Sequence, residues 1–188
     1  YFERALALEP GNAVVLANAA SMAMALGRMD QAIALRELAL QLDPLNAANT
    51  FSLGVAYYFN GQPGFAETAF RKTLSLSPNR PVTRAAIVRA IVGTGNYEDT
   101  DEIWELIAEE PYEPFRLIAT ASMHYTLGNS IDADVALEAL IEKYSGKMDA
   151  LIALAYAIRG NADEAIGWLQ QSLDSMGPQA LLNSQHSP

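Results

Sequence analysis

The chain of 188 residues contains no cysteine. That excludes disulfides and thiolate metal sites and leaves the redox compartment open. Histidine is nearly absent too, with His124 and His186 alone. No His, Asp and Glu group has metal-ligand spacing, and no serine sits in a nucleophile-elbow pattern. We therefore expect no metal, no cofactor and no catalytic residue. Positive charge is scarce: 12 basic against 22 acidic residues leave a formal net charge of −10. Such a surface repels phosphate, which sets nucleic acid and anionic membranes aside, and it favours a basic or apolar partner over an acidic one. Long apolar runs are missing as well. The longest, Ala13 to Leu26, is interrupted by Asn18 and Ser21 and is too short to cross a bilayer. The start, Tyr1-Phe2-Glu3-Arg4, lacks both Met and the basic-then-apolar order of a signal peptide. The expectation is a cytoplasmic piece of a longer protein.

What is abundant is alanine and leucine, without alternating runs of β-branched residues, and this leans helical. Glycine then reveals a period. Gly27, Gly61, Gly95, Gly128 and Gly160 follow one another at 34, 34, 33 and 32 residues. Pro10, Pro44 and Pro78 are 34 apart, and Pro111 comes 33 later. A fixed period of this length is the mark of a stacked-repeat protein.

The clearest unit runs from Ala47 to Arg80. Leu53 and Tyr57, four apart, share one face of a first helix. Gly54 and Ala66 are small where two antiparallel helices press together. Gly61 ends the first helix, Pro63 fits the first turn of the second, and Pro78 stops that second helix. Leu53-Gly54, Tyr57, Ala66, Phe70 and Pro78 resemble the L-G-x2-Y, A-x3-F and final Pro positions of the tetratricopeptide (TPR) repeat. The resemblance implies an all-α fold, a right-handed α-solenoid of antiparallel helix pairs. Its expected divisions are 11–46, 47–80, 81–113, 114–145 and 146–177, with a tail over 178–188. Phe2, Ala5 and Pro10 occupy second-helix places, so 1–10 reads as half of a truncated repeat. Its bare apolar face suggests a homo-oligomer contact.

Other copies are degenerate. Ala19, Ala20 and Ala23 replace Leu, Gly and Tyr in the first, where Arg36 replaces Phe. Ile87, Val88 and Ile91 do so in the third, where Trp104 takes the Phe place. His124 stands at a tyrosine position, which favours a packed side chain over a catalytic one. Gly93-Thr94-Gly95 follows a helical pattern and lacks the Lys-Ser/Thr of a phosphate loop, so it is expected as a helix–helix turn. Asp99, Asp101, Glu102 and Glu105 then fall in the opening turns of the next helix, where acids complement the dipole.

By resemblance, the first helix of each repeat lines a groove. This implies a partner-binding set of Asn18, Phe51, Val55, Tyr58, Phe59, Arg89, Phe115, Ser122 and Tyr125. The polar codes of two known groove types are missing. Ala17, Ser21, Val82 and Ala86 stand where a carboxylate clamp needs Lys, Asn and basic residues. Asn18 is not followed by Asn at Ser52, Ala86, Ala119 or Leu151. What remains is apolar and aromatic, with Arg89 as an isolated cation. The expected function is a non-catalytic scaffold binding a protein or peptide. An alternative rests on Tyr156, Arg159-Gly160, Ala165 and Trp168-Leu169. These resemble repeat regions attached to bacterial adenylate cyclase-like and winged-helix regulators.

Overall fold

The computed structural model describes residues 11–95, 97 and 100–175. The expected half repeat, with its oligomer face, and the tail from 178 lie outside the described residues, as does Asp99. The described residues form ten helices and no strand: α1 Ala13–Ala25, α2 Met29–Leu42, α3 Ala47–Phe59, α4 Pro63–Leu76, α5 Thr83–Thr94, α6 Thr100–Ala108, α7 Glu113–Thr126, α8 Ser130–Tyr144, α9 Asp149–Ile158 and α10 Ala162–Ser175. The fold is all-α, a solenoid of antiparallel helix pairs. It falls into two compact units, Tyr1–Pro111 and Tyr112–Pro188. The glycine period gives no sign of this division.

The five periodic glycines share one backbone state, with φ between +72° and +78°. Only glycine enters that region without steric cost, and this is why it recurs. At Gly27, Gly61, Gly128 and Gly160 the glycine N–H and that of the residue after it reach back to the last turn of the preceding helix. Gly61 N–H donates to the Tyr58 carbonyl at 3.1 Å, and Gln62 N–H to that of Tyr57 at 2.9 Å. Carbonyls left over at a helix end are thereby satisfied and the chain reverses. Pro63 then opens α4 at its first position. The Gly93-Thr94-Gly95 expectation needs correction in part: Gly93 and Thr94 belong to α5, and Gly95 alone makes the left-handed cap.

Small residues set how close the helices come. Ala20, Ala32, Ala39, Ala56, Ala66 and Ala86 are fully buried in the first unit. Phe70 of α4 is also fully buried and lies directly on Gly54 of α3. A Cβ built at Gly54 would sit 2.6 Å from the Phe70 ring, closer than any real contact. In the second unit Ile118, Leu137, Leu140 and Ile152 form the centre of a core, with Trp168 and Tyr156 packed at its margin.

The starts of α1, α3 and α5 are capped in two ways. Asn12 accepts hydrogen bonds from the N–H groups of Val14 and Val15 at 3.0 and 3.2 Å, and Asn46 from that of Asn49 at 3.0 Å. Both are local N-caps, and they stand 34 residues apart. The next position in that register is Arg80, which cannot accept. There the helix starts later, after Val82, whose φ of +68° is left-handed without being glycine. Its cap comes from Glu110, a fully buried carboxylate just beyond α6. Glu110 accepts from Val82 N–H at 3.2 Å and Ala85 N–H at 3.4 Å.

Two stability changes follow. Gly54→Ala is expected to destabilise by about 1–3 kcal/mol through overpacking, although alanine favours a helix interior by about 1 kcal/mol. Urea denaturation should show partial recovery in the Gly54→Ala, Phe70→Leu double variant. Glu110→Ala takes the acceptor from one buried and one half-buried N–H group and should cost about 1–3 kcal/mol in the same measurement.

Candidate functional site

Six of the nine sequence-derived groove residues lie in the first unit. Asn18 is exposed on α1. Phe51, Val55 and Tyr58 are half-buried on α3, at spacings of four and three that place them on one face. Phe59 follows and is 62% exposed. Arg89 of α5 lies with its guanidinium 5.0 Å from the centre of the Tyr58 ring. Phe51 has two roles. Its ring meets Phe70 of the core at 5.2 Å on one side, while the Arg80 guanidinium lies 4.7 Å from its centre. Tyr58 meets Phe59 edge-on at 5.7 Å. α3 and α5 are held close at this point, for a Cβ at Gly93 would lie 3.5 Å from the Tyr58 ring.

The remaining three belong to the second unit. Phe115 is half-buried with its ring 6.2 Å from that of Tyr112. Tyr125 is 40% exposed, donates its hydroxyl to the Arg159 carbonyl at 2.9 Å, and has the Arg159 guanidinium 5.5 Å from its ring centre. Arg159 in turn pairs with Asp134. Ser122 requires a correction. It is buried, and its hydroxyl donates to the Ile118 carbonyl at 2.7 Å. A partner cannot reach it, because its place on α7 faces the core.

Arginines were the signal missed in the sequence. Arg80 occupies the register of the capping asparagines. Arg36 is buried at the place of the motif phenylalanine, bonded to Ser21 Oγ at 2.7 Å and to Asn49 Oδ1. Burial pushes the affinity of the Arg36 and Arg89 guanidiniums for their protons below the ordinary arginine value. His124 is half-buried with Nδ1 4.0 Å from Asp132. Asp101 and Glu102 do open α6, and Glu102 also pairs with Arg71 at 2.7 Å. No group of three or more His, Asp and Glu suited to a metal occurs among the described residues. None of their helices is long and apolar enough to cross a membrane.

Residues 13–44 match the family profile described as tetratricopeptide repeat. That match places one tetratricopeptide repeat over α1 and α2. Tetratricopeptide repeat protein 28 of Homo sapiens is 24% identical over 182 residues, which is 92% of this chain and 7% of that protein. The repeat chain thus spans only a small part of the curated relative it matches. Among solved structures, a tetratricopeptide repeat protein from Parabacteroides merdae is similar with a TM-score of 0.70 at 18% identity, over 97% of this chain and 73% of that one. YrrB, described as a TPR protein with an unusual peptide-binding site, has a TM-score of 0.59 at 17% identity, over 100% and 98%. At these identities the repeats share a fold with those structures.

Tyr57, one residue from Tyr58, points elsewhere. It stacks on Phe65 at 5.3 Å and its hydroxyl donates to Glu37. Burial first, then that hydrogen bond and the Glu37 charge, push its phenol up to about 12 from the ordinary 10. The folded-state value is raised, so the stabilisation is full below pH 10 and is lost as pH climbs toward 12. The ultraviolet difference titration between the parent chain and Tyr57→Phe should show this phenol ionising near pH 12. Glu37→Gln should move that ionisation back toward 10.

Proposed function

We propose that this chain is a non-catalytic scaffold that holds a peptide or partner protein against the α3 face of its first unit. The observation that carries the reading is Phe59, 62% exposed and edge-on to Tyr58, with Phe51 two turns back on the same helix. Large aromatic side chains on a rigid helix are efficient anchors, because few torsions are frozen when they are covered. The rings are already fixed by Phe70 beneath and by the guanidiniums beside them. A partner therefore meets a preorganised surface. That a solved structure of the same fold is described as having a peptide-binding site supports the same reading.

Phe65 supplies the control. It is as exposed as Phe59, at 62%, but it belongs to α4 and stacks on Tyr57. A random peptide library panned against the whole chain should return binders. Phe59→Ala or Tyr58→Ala should weaken them about tenfold or more. Phe65→Ala should leave their affinity within about twofold, as expected outside a hot spot. Equal losses at Phe59 and Phe65, or no binders at all, would sink the reading.

A further inference from the structure

We propose that the α3 face bearing Phe51 and Tyr58 accepts an acidic peptide, whose carboxylates are bound by Arg80 and Arg89. The inference rests on the scaffold reading above and gives its partner a chemical class. It runs against the net charge of −10, which by itself favours a basic or apolar partner.

The case begins with which arginines have acids and which do not. Acids outnumber bases in the chain by 22 to 12, yet only some arginines are paired with one, and the buried Arg36 bonds Ser21 and Asn49 instead. Arg71 bonds Glu67 and Glu102, Arg84 bonds Glu109, and Arg159 bonds Asp134. Arg80 and Arg89 have no acid partner among the described residues, and the Nε of each is enclosed without a hydrogen bond. Each lies instead against an aromatic ring, at 4.7 Å from the centre of Phe51 and 5.0 Å from that of Tyr58.

Contact with a ring fixes a guanidinium but uses its face. A guanidinium held by its face keeps its in-plane Nη donors for another partner, and a carboxylate suits them. Both residues are half-buried, so although Nε is enclosed, part of each side chain remains open to a chain lying on the face. A guanidinium partly stripped of water and lacking an anion is costly to keep, and an arriving carboxylate forms a charge-assisted pair in that drier setting. Seven residues separate Phe51 from Tyr58. At helical rise the two ring sites are about 10 Å apart along one face of α3. A short peptide bearing two acidic side chains spans that distance, with apolar side chains against Phe59.

The random peptide library panned against the whole chain tests this through the composition of what it returns. Binders enriched in Asp and Glu are expected. Their affinity should fall about tenfold or more in Arg89→Gln and in Arg80→Gln, the loss of a charge-assisted contact. Affinity for the unmodified chain should fall steeply as sodium chloride is raised, a readout that needs no variant. Arg89→Lys, which keeps the charge and gives up the planar fork, should recover only part of the loss. Circular-dichroism melting establishes that the variants are folded, and Arg80 lies in a turn outside the helices. Binders without acidic enrichment, or acidic binders indifferent to salt and to both glutamine variants, overturn the proposal and leave the scaffold reading standing. A library that yields no binder overturns both.

Discussion

A helix that carries alanine and glycine along one stripe can bury that stripe only by bringing a second helix very close. The rest of this structure depends on that constraint. Gly54 under Phe70 is its tightest expression, and the buried alanines of α1, α2, α3 and α4 repeat it. Close helices need short reversals, which the left-handed glycines provide. Close helices also leave little room for large side chains inside, so several aromatics are displaced toward the surface. Phe51 shows the division within one residue: its half-buried ring meets Phe70 of the core and also the Arg80 guanidinium.

The parts of the fold that were legible in the sequence are those caused locally. A reversal at Gly61 followed by Pro63 is decided by the backbone freedom of a few neighbouring residues. The face shared by Phe51, Val55 and Tyr58 follows from helical spacing alone. The unread parts are caused at long range. Nothing around Ser122 shows that its hydroxyl will be buried and spent on Ile118. Nothing near Val82 says that its cap will come from Glu110, 28 residues downstream. The division after Pro111 is likewise a property of which helices pack together, and the glycine period runs across it with only slight drift. Arg80 is an intermediate case. The 34-residue register placed it where Asn12 and Asn46 cap helices, and a residue unable to cap there was a visible departure.

Charge has to be read at the scale on which a partner meets it. The chain as a whole is acidic, and its acids are engaged at helix starts and in pairs such as Glu102 with Arg71 and Glu113 with Lys143. At the α3 face the bordering arginines lie on rings and not against carboxylates. Screening confines an exposed charge to a radius of about 8 Å at physiological ionic strength. The two guanidiniums can therefore dominate the field at that face although the net charge has the opposite sign.

The Glu110 cap has a consequence for how the chain acquires its structure. The first two helix pairs begin at asparagines that cap them from within, so each can close as soon as its own residues are available. The third pair cannot. Its opening N–H groups meet their side-chain acceptor only after the segment beyond α6 has been made and has returned. During synthesis the ribosome must release that segment before α5 acquires a finished start.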